Sequence, residues 1–293
     1  MVLQVVSCLA GEYYITPRLS LSAGFDSNRM RVENDKEGSA FFEAAPGLAL
    51  LFIPAADLEL KADVSYAPRV FAGSEKGNQS TADGGIGAVW RHQSFVYEVW
   101  AGGGVYRDSE IPNDDVRWLY VAPSAGWLYT EGRQVYGRIN LSHSRYDSRQ
   151  TYEGEDEKGT FFSGVAGWYT VLGEQADLWI EGYYENFSAN EPVDEYYTIG
   201  AATGIGRRVN ETGRVDVGLR YGYQTYPNDS SGITEHEAHP VRVSAQYAHR
   251  LSDWASLELL ARWERLPTSD VSGEYEQWLA AAGIVLSWEL YDL

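Results

Sequence analysis

Cysteine is almost missing from this chain of 293 residues, where Cys8 stands alone. One cysteine cannot form an internal disulfide, which excludes a disulfide framework and any cysteine-based zinc site. Methionine is scarce as well, at two residues. Basic residues are outnumbered, 23 Lys and Arg against 42 Asp and Glu, for a formal net charge of −19. Such a chain lacks the basic stripe that displaces counterions from phosphates, so nucleic acid is excluded as a partner. No apolar run approaches the length of a spanning helix, and mean hydropathy is −0.35. A helical membrane protein is thereby excluded. A barrel is not, because half of its strand residues face water.

Tyrosine (21), tryptophan (10) and glycine (30) are the abundant residues. The stretch 277–290 shows how they are used. Trp278, Ala280, Ala282, Ile284, Leu286, Trp288 and Leu290 fall on one face, with small or polar residues on the other. Strands alternate faces at every residue, so period two separates these sets. Ten residues between the tryptophans correspond to roughly 25 Å of height at a tilt near 40°. That is the apolar band of a membrane barrel, and aromatic rings belong at both of its edges.

The pattern repeats in fourteen segments: 12–26, 40–53, 57–71, 80–92, 94–106, 117–130, 134–147, 160–172, 176–188, 195–208, 213–226, 238–250, 254–266 and 277–290. The connections alternate short and long, the arrangement of antiparallel hairpins with turns at one end and loops at the other. The expectation is an all-β, transmembrane, antiparallel up-and-down barrel of about 14 strands. Short turns would lie in the periplasm, and longer acidic loops outside. Residues 1–11 read as a residual signal or lead-in segment, and 12–293 as a single barrel domain. A soluble sandwich accounts less well for the strand lengths and the loop alternation. Pro17, Pro46 and Pro123 lie inside strands and predict a bulge or local break at each.

The wet faces carry Arg18, Glu59, Asp63, Arg138, Glu181, Glu185, Arg220, Arg242, Glu258 and Arg262. These ten are candidates to line a pore about 28 Å across at the backbone. Two arrangements are open. A transverse field could cross the bore, or the charges could pair across neighbouring strands and close it. The lumen reads as rich in charge rather than lined by apolar bulk. Trp278, Trp288, Trp263, Trp127 and Trp90 are the candidate membrane-interface aromatics.

Acidic clusters at Asp108, Glu110, Asp114 and Asp115, and at Glu153, Glu155, Asp156 and Glu157, match no defined calcium loop and read as solvated. Ser142-His143-Ser144 places its histidine on the lipid face and its serines in the lumen, so no nucleophile–base pair is expected. His236-x-x-His239 reads as an exposed pair. No metal, cofactor or catalytic residue is expected.

Two stretches carry a resemblance: Ser22-Ala23-Gly24-Phe25-Asp26-Ser27-Asn28, closing the first segment, and Ala45-Pro46-Gly47-Leu48-Ala49-Leu50 in the second. They resemble the first hairpin of a group of Gram-negative outer-membrane barrels. That group includes the barrel parts of surface lipoprotein assembly modifiers and barrels associated with exopolysaccharide secretion. The resemblance implies an outer-membrane location in a Gram-negative bacterium, in contact with lipid and lipopolysaccharide, with a periplasmic or export-complex partner. The function expected is a channel for a polar solute or extended polymer. The alternative is a structural barrel with a charge-plugged lumen and partner-binding loops.

Overall fold

The computed structural model describes residues 11–28, 38–72, 78–109, 115–151, 154–190, 195–227, 236–267 and 274–291. Strand segments in chain order are β1 (Glu12–Asp26), β2 (Ser39–Ala55), β3 (Leu58–Phe71), β4 (Gln79–His92), β5 (Phe95–Asp108), β6 (Val116–Thr130), β7 (Arg133–Gln150) and β8 (Asp156–Leu172). There follow β9 (Ala176–Ala189), β10 (Tyr196–Arg208), β11 (Gly213–Tyr226), β12 (His236–Ala238), β13 (Val241–Ser252), β14 (Ala255–Leu266), β15 (Tyr275–Ser287) and β16 (Leu290–Tyr291). Neighbours in sequence pair antiparallel, and β1 pairs with β15 to close the sheet on itself. The pieces β12 with β13, and β15 with β16, each make one stave, which gives a closed up-and-down barrel of fourteen.

Period two sets the faces as expected. Ile86 is 67% exposed and Leu119 71%, both on the outer surface with Leu21, Leu48, Val64, Ile180, Leu219 and Ile284. Among the described residues the buried hydrophobic cluster holds only Phe41, Phe71 and Leu279. A soluble protein does not expose its large apolar side chains around a whole girth while burying so few. Lipid is the solvent that reconciles the two. Aromatic pairs stand at both rims of this belt. Trp90 stacks on Tyr97 and Phe95 on Trp127 at the turn end, where Trp254 also stacks on Trp288. Trp263 and Trp278 meet at the loop end with centroids 6.1 Å apart.

The prolines make local breaks in pairing, as expected, but no bulges. Leu19 pairs with Pro46 and Val99 with Pro123, and the register does not shift at Pro17, Pro46 or Pro123. Pairing is merely interrupted on the side where the missing N–H would point: between β2 and β3 for Pro46, and between β6 and β7 for Pro123. Pro68 shares the first of these seams. Register shifts occur instead beside three short turns, at Phe52/Ala55, Leu128/Thr130 and Arg250/Ser252, and at the loop end of β7 between Arg145 and Gln150. Pro240 separates β12 from β13, and both pieces keep one register with β11.

The His92–Phe95 hairpin places Gln93 at φ 53°, the only positive φ on a non-glycine among the described residues. The neighbouring turns put Gly132 and Gly173 at comparable angles. Gln93→Gly is therefore expected to stabilise the barrel by about 1 kcal/mol, read as a shift in the urea unfolding midpoint in detergent.

Candidate functional site: the inner wall

All ten sequence-predicted charges fall on the inner face. Most are paired flat along the wall. Glu59 takes Arg91 at 2.5 Å and Lys61 at 3.3 Å. Arg138 reaches across β8 to Glu181 at 2.5 Å. Arg220 reaches across β10 to Glu185 at 2.6 Å, with its guanidinium 3.8 Å above the Tyr183 ring. Arg242 bonds Glu264 on the adjacent strand at 2.7 Å. Arg18, Asp63 and Glu258 make no ion pair among the described residues. Arg262 lies in register with Ser244 and Leu279, facing inward.

The staves beneath these bridges are kept low by small residues. A Cβ on Gly167 would lie 2.4 Å from the Tyr136 ring, and one on Gly206 would lie 1.9 Å from the Arg214 guanidinium. Rings use the same device. Trp100 lies over Gly87, Trp118 over Gly104, Trp179 over Gly204 and Tyr183 over Gly200, each pair directly opposed across two strands. The lumen is therefore lined by aromatic faces as well as by charge, which corrects the expectation of a wall without apolar bulk. Inward rings and inward glycines look unrelated in the sequence, and only the register brings them together.

The inner face of β9 is the most regular part of the wall. Its inward residues alternate acid and ring: Asp177, Trp179, Glu181, Tyr183, Glu185 and Phe187. Each acid receives one arginine from a stave two removed, across the intervening strand. Asp177 takes Arg214 at 2.8 Å, Glu181 takes Arg138, and Glu185 takes Arg220. Like rungs repeat every four residues, on the order of 13 Å along the strand. Sequence reading found Glu181 and Glu185 but missed the ladder, although the Asp-x-Trp-x-Glu-x-Tyr-x-Glu-x-Phe spacing was there to be read. Two cavities open beside it. One of about 570 Å³ near the turn end is lined by Glu98, Gln134, Tyr136, Arg138, Tyr169, Trp179 and Glu181. Another of about 290 Å³ near the loop end is lined by Tyr183, Glu185, Tyr196, Arg220, Arg242, Glu264 and Tyr275.

The other candidate sites dissolve into structure. His143 faces outward and contacts Thr160 at 3.3 Å, while Ser142 faces inward. Asp156 and Glu157 belong to β8 rather than to a solvated loop, and they pair with Arg145 and Arg149. Asp115 is held by Arg107, and Asp108 accepts from Gln79 at 2.9 Å. The register extends β7 and β8 beyond the apolar band, and these acids anchor arginines there. Among the described residues no cluster of acids or histidines could hold a metal. His239 stacks on Tyr221. The His236 side chain, Glu110, Asp114 and Glu153 lie outside the described residues.

A closed antiparallel barrel with an apolar belt, two aromatic rims and a polar interior defines a transmembrane β-barrel of the outer-membrane type. Solved structures agree on the fold. The outer membrane channel DcaP of Acinetobacter baumannii matches with 9% identity over 95% of this chain and 97% of that one, at a TM-score of 0.54. A bacterial polysaccharide outer membrane secretin matches with 10% identity over 94% and 98%, also at 0.54. OmpT of Vibrio cholerae matches with 12% identity over 95% and 97%, at 0.52. No family model and no curated protein sequence matches the chain.

Proposed function

We propose that the chain is an outer-membrane channel of a Gram-negative bacterium. It passes a polar solute or extended polymer, either by diffusion or as the exit of an export assembly. Its short turns face the periplasm, and its loop end meets the lipopolysaccharide surface. The observation that carries this reading is the flat-lying charge. Arg138 stays 54% exposed and Arg91 46% exposed inside the barrel while paired to carboxylates on the same wall, so solvent reaches them. The channel-type neighbours support the reading. Among the described residues nothing in the wall calls for catalysis, and the protein is proposed to be no enzyme.

Recordings in planar bilayers test the proposal. Asp63 and Asp83 are exposed on the inner face near mid-depth, with no cation partner among the described residues. They make the bore attractive to cations. A stable conductance with a potassium preference is expected, and Asp63→Asn with Asp83→Asn should lower that preference roughly twofold or more. A folded but silent barrel supports the structural alternative instead, with a closed lumen and loops that hold a partner.

A further inference from the structure

The ladder on β9 allows the transported class to be narrowed, resting on the channel reading above. We infer that the inner face of β9 is a track for a neutral saccharide chain, with its principal binding position in the turn-end cavity. A pyranose ring offers an apolar face of C–H groups and a rim of hydroxyls. The cavity offers the complement of both. Trp179 lies over Gly204, and Tyr136 lies over Gly167 with the Arg138 guanidinium 5.6 Å from its ring centroid, so the cavity presents an indole and a guanidinium-backed phenol side by side. The planar Arg138–Glu181 pair, Gln134 and Glu98 supply donors and acceptors around those rings. Flat rings are binding surfaces tolerant of sequence and register, and planar polar groups match vicinal hydroxyls.

Charge decides between saccharides. Every acid rung of the ladder carries its own arginine, so the track has hydrogen-bonding capacity without net charge. Glu98 adds a further carboxylate to the cavity, where it accepts from Trp100 at 2.8 Å. An anionic polymer would therefore meet unfavourable carboxylates there. The repeat decides between a monomer and a chain. Acid–arginine rungs recur along nearly the whole of β9, with the Tyr183 ring held between Gly200 and the Arg220 guanidinium, so a chain that leaves the turn-end rings meets further polar rungs. Conduction of a bound substrate needs several individually weak positions rather than one tight one.

The test uses the full-length barrel with maltohexaose and cellohexaose as probes, and with an oligogalacturonate and spermine as charged comparisons. Channel current and calorimetric binding in detergent are measured together. A neutral hexasaccharide is expected to interrupt the current and to bind. Its affinity should fall about tenfold in Trp179→Ala and less in Trp179→Phe, and stay within twofold in Trp118→Ala, whose ring lies on another stave. Conductance without hexasaccharide block or binding overturns the saccharide assignment and leaves the channel standing. Block by spermine or oligogalacturonate alone does the same. Equal weakening by Trp118→Ala overturns the assignment to β9. A folded barrel that binds the hexasaccharide through Trp179 yet never conducts supports the track and overturns the channel. If Trp179→Ala does not fold, Trp179→Phe with Glu181→Gln carries the comparison: unchanged hexasaccharide affinity in both overturns the track.

Discussion

Asp26→Ala is expected to destabilise the barrel by about 2–4 kcal/mol, the sum of two or three buried groups left without partners. Asp26 is 4% exposed and sits where the first stave meets the last. Its two carboxylate oxygens accept from the Gln277 amide at 2.8 and 2.7 Å, and one of them also accepts from the backbone N–H of Asn28 at 3.0 Å. Gln277 is itself 3% exposed, and Asn28 is fully buried with its amide donating to the Glu276 carbonyl. Ser27 completes the clasp. Its N–H donates to Trp278 O at 2.8 Å, and its hydroxyl oxygen accepts from Trp278 N at 2.7 Å. These bonds join residues about as far apart in sequence as the barrel allows, so the loop they close is the costliest in the molecule. Alanine removes the acceptor but not the burial of the donors. Asp26→Asn keeps one acceptor and should fall between the two. Urea unfolding in detergent, followed by tryptophan fluorescence, measures the loss, and Trp278 reports the seam directly. An Asp26→Ala barrel as stable as the parent would remove the clasp from the account.

That clasp gives a physical reason for the stretch Gly24-Phe25-Asp26-Ser27-Asn28, which the sequence offered only as a resemblance. A Cβ on Gly24 would lie 2.6 Å from the Phe41 ring and 2.3 Å from the Ala280 carbonyl. The motif is thus a closure device, and it specifies a barrel without specifying a cargo. The faces of every stave were legible because period two is a local property: Leu21 and Ile284 declare themselves from their neighbours alone. The breaks at the prolines were legible as missing donors, but the sequence does not show which neighbour each donor would have served. At Pro46 the loss falls on one seam, while the other side pairs Leu19 normally. The inner wall was half legible. Alternation put Glu181 and Glu185 inside, but their arginines come from staves two removed, Arg138 from β7 and Arg220 from β11. No local pattern reports a contact that passes over an intervening strand. Asp156 and Glu157 were misread for the same reason, since only the β7–β8 register brings them to Arg145 and Arg149.

Gly204→Val should cost about 2–3 kcal/mol even though valine is the better strand former, because the position is already occupied from across the sheet. A Cβ there would lie 2.6 Å from two atoms of the Trp179 ring. Gly204 and Trp179 are directly opposed, so neither can shift without changing the register of β9 and β10. The ring must leave the wall and swing into the bore, or the staves must part. Both outcomes are measurable. Stability drops in a urea titration, and whatever current the barrel carries is narrowed. The cause is isolated by combining Gly204→Val with Trp179→Ala. The space that the tryptophan vacates accepts the valine, and a coupling of about 1–2 kcal/mol should return, within the range for residues in contact. Gly182 is the control. It faces lipid, and a Cβ added there would meet nothing within 4 Å, so Gly182→Ala should leave stability within about 0.5 kcal/mol. If Gly204→Val were tolerated like Gly182→Ala, or if Trp179→Ala gave no recovery, the rings would not be seated on their glycines. The β9 track would then lose its geometry together with the wall.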